Sequence, residues 1–215
     1  MEGEGLPSLF VLFLIWVMHM DKLKKQMDFL IEIAKMKSIY RQSVYFENGK
    51  LKRENDAEHS WHMCMYAMVL DEYAPKGTDI SKCIKMMLIH DLVEIYAGDT
   101  YLYDEKGNSD KAEREQKAAD KLYSMLDDKG GELKALWYEF EANESLEAQF
   151  ANTLDRLQPL LLNYLTQGTK WKEHQVHISQ VIEKGKWKTR KVDERIRKFV
   201  LDLLNDSVKK GYLLP

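Results

Sequence analysis

Four side chains of metal-ligating type stand out along this chain: His59, the adjacent pair His90-Asp91, and Asp155. His59 follows a polar stretch and opens an apolar one. Asp155 lies inside TLDRLQPLLL, where an aspartate on a buried helix needs a cation, either an arginine or a metal. His90 ends the apolar run MMLI, where an unpaired imidazole would be costly. Glu94 follows His90 by four residues, so a continuous helix would aim one imidazole and two carboxylates at nearly one point. Two imidazoles and two carboxylates suit a divalent transition metal that keeps positions for water or substrate. A His-Asp pair alone is unspecific, and a core histidine beside a helix-end ion pair is the competing structural reading. His62, three residues after His59, fits the helix packing surface as well as it fits the site. Phosphate-binding loops of the GxxxxGK[ST] or GxGxxG type, the GxSxG elbow and HExxH are all absent.

The elements that must position these groups are helical in period. Leu23, Met27, Leu30, Ile31, Ala34 and Ile39 trace one helix face, and further helices are expected over 57–73, from 79 or 81 to 97, and over 110–126, 132–142 and 145–166. Two more begin near Lys172 and Lys191. Residues 41–56 lack the period and contain Asn48-Gly49, so they read as a loop, and Gly130-Gly131 reads as a break between helices. No alternating strand is evident. The expectation is a single all-α domain of about eight helices over residues 20–215, preceded by an apolar extension, residues 1–19.

Composition narrows the class. The 215 residues carry 32 Lys+Arg against 35 Asp+Glu, a formal net charge of -3, which argues against a nucleic-acid binder. The basic run around Trp187 (Lys184 to Lys191) reads as a solvated helix junction. Cys64 and Cys83 form no CxxC pair and sit among apolar residues, as in a reducing, cytoplasmic protein. Leu6–Met18 is too short for a bilayer span, which takes roughly 20 apolar residues. Glu2 and Glu4 occupy what would be the positive end of a signal peptide. An apolar segment of this kind points to self-association as a homodimer or larger assembly.

The order His59, His90-Asp91, Asp155 resembles the HD-domain metal-dependent phosphohydrolase superfamily. Arg41, ENDAEHS (Glu54 to Ser60), HDLVEIYAGDT (His90 to Thr100) and LDRL around Asp155 resemble its 5′-deoxynucleotidase branch, over about Leu23 to Thr166. The resemblance implies an HD-type helical bundle with one divalent transition-metal ion held by His59, His90, Asp91 and Asp155. It implies Glu94 as the catalytic carboxylate, Asp99 beside the substrate and its chemistry, and Arg41 on the phosphate. Gln42 stands where the bacterial members carry a tryptophan credited with excluding the ribose 2′-hydroxyl. After Asp99 the chain reads Thr-Tyr-Leu in place of Leu-Pro-Thr. The expected activity is hydrolysis of (deoxy)nucleoside 5′-monophosphates to nucleoside and phosphate. Another small phosphate (a nucleoside triphosphate, cyclic dinucleotide or alarmone) is the alternative within the superfamily. A non-catalytic, metal-stabilised helical binding module is the alternative outside it, and Glu94 argues against that one.

Overall fold

In this computed structural model the backbone is described from residue 9 to 215 and the side chains from residue 17 onward. Residues 1–8 and the side chains of 9–16 lie outside the described residues, and with them most of the segment expected to mediate association. The elements run α1 (Leu9–Ile33), β1 (Tyr40–Glu47), β2 (Lys50–Asn55), α2 (Asp56–Val69), α3 (Ile80–Ile89), α4 (Glu94–Ala97), α5 (Glu105–Asn108), α6 (Lys111–Tyr123), α7 (Asp128–Ala142), α8 (Leu146–Leu165), α9 (Thr169–Glu173), α10 (Ile178–Lys184) and α11 (Glu194–Lys209). The architecture is helical, and eight of these helices have seven residues or more. Helix α1 crosses Met20 without a break. No helix among the described residues is long and apolar enough to cross a membrane.

Two apolar clusters hold the bundle. The larger packs α2, α3, α8 and α11 around Met63, Met86, Leu154, Trp171, Val200 and Leu204. The smaller joins the end of α1 to α6 and α7 through Phe29, Leu122, Tyr123 and Trp137. Each such side chain contributes about 1.5–3 kcal/mol on burial. Cys64 and Cys83 are buried free thiols, and Trp187 of the basic run is buried at the turn between α10 and α11.

Three local expectations are corrected. Residues 41–56 are not a loop: β1 and β2 pair antiparallel, with Glu47 opposite Lys50 and Asn48-Gly49 as the two-residue turn. Both turn residues have positive φ, 51° and 75°, which asparagine and glycine tolerate and which suits the twist of a tight hairpin. The strand period is masked because this ribbon has only Val44 and Glu54 fully buried along it. Second, the helix expected through residue 97 ends at Ile89. The chain then tightens into i→i+3 bonds, Leu92 N to Ile89 O and Glu94 N to Asp91 O, before α4. Third, Gly130-Gly131 lies inside the first turn of α7 and does not break it. A Cβ on Gly130 would collide with the Tyr123 carbonyl, so the glycine permits the close approach of α7 to the end of α6.

Candidate metal centre and catalytic cavity

His59 is placed by an interlocked helix start. The Asn55 side chain accepts from Glu58 N while Glu58 Oε2 accepts from Asn55 N, a capping box that starts α2 one turn before His59. His90 caps the C-terminus of α3, and its Nδ1–H donates to Met87 O at 2.8 Å. Asp155 projects from α8. Pro159, one turn later, has no N–H to offer the Asp155 carbonyl, which loosens the helix backbone at that point. Three elements distant in sequence thus deliver one cluster.

Its distances are those of ligands crowded around one point. His90 Nε2 lies 2.9 Å from Asp91 Oδ2, and His59 Nε2 lies 3.2 Å from Asp155 Oδ1. The cross distances, His59 Nε2 to Asp91 Oδ2 and His90 Nε2 to Asp155 Oδ1, are both 3.9 Å. Donor atoms about 2.0–2.2 Å from a common transition-metal ion have separations of this size. His90 Nε2 is buried and lies close to the Asp91 carboxylate without the alignment of a hydrogen bond. Two carboxylates crowded against two imidazoles draw positive charge, a proton or a metal ion, to the centre of the cluster. The same pull is visible in the titration of His90. Burial alone would lower its pKa, but Asp91 and Asp155 outweigh burial and raise it to about 9. His59 goes the other way, down to about 4, through burial and the nearby Arg41. These four residues therefore fit a divalent cation, and His59, His90 and Asp91 form a buried group able to hold one.

A second acidic group adjoins the first. Asp56, Asp91 and Glu94 lie close together, all buried, and Asp56 was not singled out by the sequence. Burial, then the charge of Asp91, pushes Asp56 up to about 7 and lifts Glu94 well above the usual carboxylate range. Asp99 is raised by burial as well. Two neighbouring carboxyls that resist ionisation can share one proton, so Glu94 is equipped both to hold a proton and to give it up. Arg41 supplies the local positive charge: Nη1 donates to Asp91 Oδ2 at 2.5 Å and to Asp56 Oδ1 at 3.3 Å.

The cluster opens on a cavity of about 350 Å³ whose wall includes Arg41, Gln42, Asp91, Glu94, Asp99 and Asp155. Consecutive strand residues normally face opposite sides, yet Arg41, Gln42 and Ser43 all line it. The hairpin register is irregular between Tyr40 and Val44, and a bulge of that kind re-aims side chains. The wall also carries Lys111, Arg156 and Lys170, cations that sequence reasoning missed. Arg156 had a signal in its adjacency to Asp155; the two lysines had none. His62 stands behind the cluster, bonded to Gln158, and does not reach it.

The model of the HD domain matches residues 33–197 of this sequence. The chain belongs to the HD-domain family. A crystal structure of this fold, a predicted metal-dependent phosphohydrolase from Magnetospirillum magnetotacticum, superposes with a TM-score of 0.84 at 44% identity, over 91% of this chain and 97% of that one. Among curated proteins, the HD-domain chain is 31% identical to the 5′-deoxynucleotidase HDDC2 of Bos taurus over 137 residues, 63% of this chain and 64% of the relative. The human HDDC2 is 29% identical over 63% of this chain and 65% of its own. The chain thus spans just under two thirds of the length of the curated relatives it matches.

Proposed function

We propose that this HD-domain protein is a metal-dependent phosphohydrolase that cleaves nucleoside 5′-monophosphates to nucleoside and inorganic phosphate. The observation that carries the reading is the convergence of His59, His90, Asp91 and Asp155, with donor atoms 2.9–3.9 Å apart, beside a cavity that holds Arg41 and Glu94. The relatives named 5′-deoxynucleotidase support the substrate class. His59, His90, Asp91 and Asp155 would hold one divalent transition-metal ion. When bound, that ion acidifies water and neutralises phosphoryl oxygens.

The chain's own groups do the rest. Arg41 presents a planar fork that matches two phosphate oxygens. Its present partners, Asp56 and Asp91, hold it at the cavity wall. In the reaction a water oxygen bonds to phosphorus, the bond from phosphorus to the 5′-oxygen breaks, and the water proton ends on the leaving oxygen. Glu94 carries that proton, with Asp56 as the neighbour that tunes its affinity. Asp99 and Gln42 line the same cavity and contact the sugar.

The protein acts, on this reading, as a homodimer in the reducing cytoplasm. Support for assembly comes from an apolar groove of about 580 Å³ between α2, α8 and α11, lined by Met65, Val69, Leu161, Ile196 and Phe199. Residues 1–19, ahead of the region matched to the family, belong to the assembly surface and residues 20–215 to the catalytic domain. The decisive experiment is metal analysis of the purified protein followed by a phosphate-release screen. The screen covers ribo- and deoxyribonucleoside monophosphates, triphosphates, cyclic dinucleotides and alarmones. About one transition metal per chain and release from monophosphates are expected. Metal without any release would leave a binding module.

A further inference from the structure

Gln158 is fully buried, is not among the residues that line the cavity, and belongs to no metal-ligand type. It follows Asp155 by three residues on α8, so both lie on one helix face. Its side chain meets three polar groups. Oε1 lies 3.1 Å from His59 Nδ1, while Nε2 lies 2.5 Å from Glu54 Oε1 and 3.2 Å from His62 Nδ1. A carboxylate accepts, so the amide nitrogen faces Glu54, and His62 Nδ1 then meets that nitrogen as an acceptor. The carbonyl oxygen is then forced toward His59. A carbonyl only accepts, so His59 carries its proton on Nδ1 and keeps a lone pair on Nε2, the atom aimed at Asp155 and Asp91.

We propose that Gln158 is a positioning residue of the metal centre: it fixes the tautomer and ring orientation of His59, and Glu54 and His62 in turn fix Gln158. The inference rests on the metal reading above. It accounts for two features that reading leaves idle. Glu54 is a buried carboxylate that is hydrogen-bonded to an uncharged amide, with Arg41 Nε 4.0 Å from its other oxygen, and His62, three residues after His59, bonds Gln158 and not the cluster. A histidine ligand whose second nitrogen donates to a fixed acceptor binds metal about 10–100-fold more tightly than one whose partner is removed.

The test uses the full chain, depleted of metal and titrated with Co²⁺ by calorimetry, with ¹⁵N NMR of the histidine rings in the metal-free protein. Gln158→Met keeps the length of the side chain and removes both polar ends. Its Co²⁺ dissociation constant should rise about 10–100-fold, and the Nδ1–H form of His59 should give way to a mixture of tautomers. Gln158→Glu alone sets a carboxylate against Glu54 and should also weaken binding. Combined with Glu54→Gln, it exchanges donor and acceptor, leaves His59 a carboxylate to donate to, and should recover most of the lost affinity. A folded Gln158→Met protein with unchanged Co²⁺ affinity would overturn the inference, because a residue that only packs would move Tm and nothing else. If Gln158→Met does not fold, the comparison of Gln158→Glu with the exchanged pair decides, and no gain in the pair overturns it. A wild-type protein without Co²⁺ affinity removes the metal reading itself. The His59 tautomer in the metal-free protein then still reads the role of Gln158.

Discussion

Helices α2 and α8 each present two faces that invert the usual distribution of polarity. Toward the cavity, α2 turns His59 and α8 turns Asp155 and Gln158, with His59 and Gln158 fully buried and Asp155 at the cavity wall. Away from it, α2 leaves Trp61, Met68 and Val69 exposed and α8 leaves Leu165 exposed at 66%, beside Phe199 of α11 at 51%. A chain selected for stability alone would place these groups the other way round, since charges are costly inside and large apolar side chains are wasted outside. The two faces break that rule for different reasons. The inner face concentrates imidazole and carboxylate groups suited to a cation. The outer face leaves uncovered the apolar area that we propose a second copy of the chain covers. On the proposed reading the two departures should separate under mutation, because the faces share helices but no side chains other than His62, which contacts Gln158 inward and lines the groove outward.

The largest expected effect lies on the inner face. Asp91→Asn removes one donor oxygen and the principal partner of Arg41 together, so it should empty the metal site and abolish phosphate release. Glu94→Gln should keep the metal and slow turnover by about 10²–10⁴-fold, the usual contribution of a general acid or base. Metal analysis beside kcat separates the two. If Glu94→Gln also lost the metal, Glu94 would be a ligand and the proton path would have to be redrawn.

The outer face should answer differently. Phe199→Asp places a charge in the groove, and loss of a buried aromatic anchor weakens an interface by about 2 kcal/mol or more, roughly thirty-fold in Kd. Sedimentation should show dissociation with turnover per chain unchanged. A wild-type monomer across micromolar concentrations would remove the dimer, and the groove would need another occupant.

The two faces also differed in how much the sequence disclosed. His59, His90, Asp91 and Asp155 are legible because imidazoles and carboxylates in apolar surroundings are rare and costly, so each signals a partner. The structure brings all four together with Glu94, Arg41 and Asp99 around one cavity. Gln158 was not legible, since a glutamine in LDRLQPLLL reads as one polar position of an amphipathic helix. Only its spacing from Asp155, matched by the spacing of His62 from His59, hinted at a shared layer. The hairpin was missed because it shields a cavity and not a core, which leaves its residues without an apolar-polar rhythm. The outer face left no signal, because Met68, Val69 and Phe199 look like any buried stripe until the helices are placed.

The smallest effect concerns sugar selectivity and turns on Gln42. The irregular stretch of β1 brings Gln42 to the cavity wall beside Arg41, so its side chain stands within the volume a bound nucleotide would fill. A glutamine amide can donate to or accept from a hydroxyl. A bulky indole in its place would instead fill the space that a ribose 2′-hydroxyl needs. A site that pairs a hydroxyl favours the substrate that bears it, and one that excludes it by volume favours the deoxy form. If the proposed activity holds, the wild-type protein should therefore discriminate weakly between matched ribo- and deoxyribonucleoside 5′-monophosphates in kcat/KM. Gln42→Trp should shift the ratio toward the deoxy substrate by about ten- to a hundred-fold, the scale of steric discrimination by one group. Most of that shift should appear as a higher KM for the ribonucleotide, since the indole acts on the fit of the sugar and not on the proton assigned to Glu94. A strong deoxy preference already present in the wild type and unmoved by Gln42→Trp would assign the gate to another part of the wall, with Tyr101 to Tyr103 the next segment to vary.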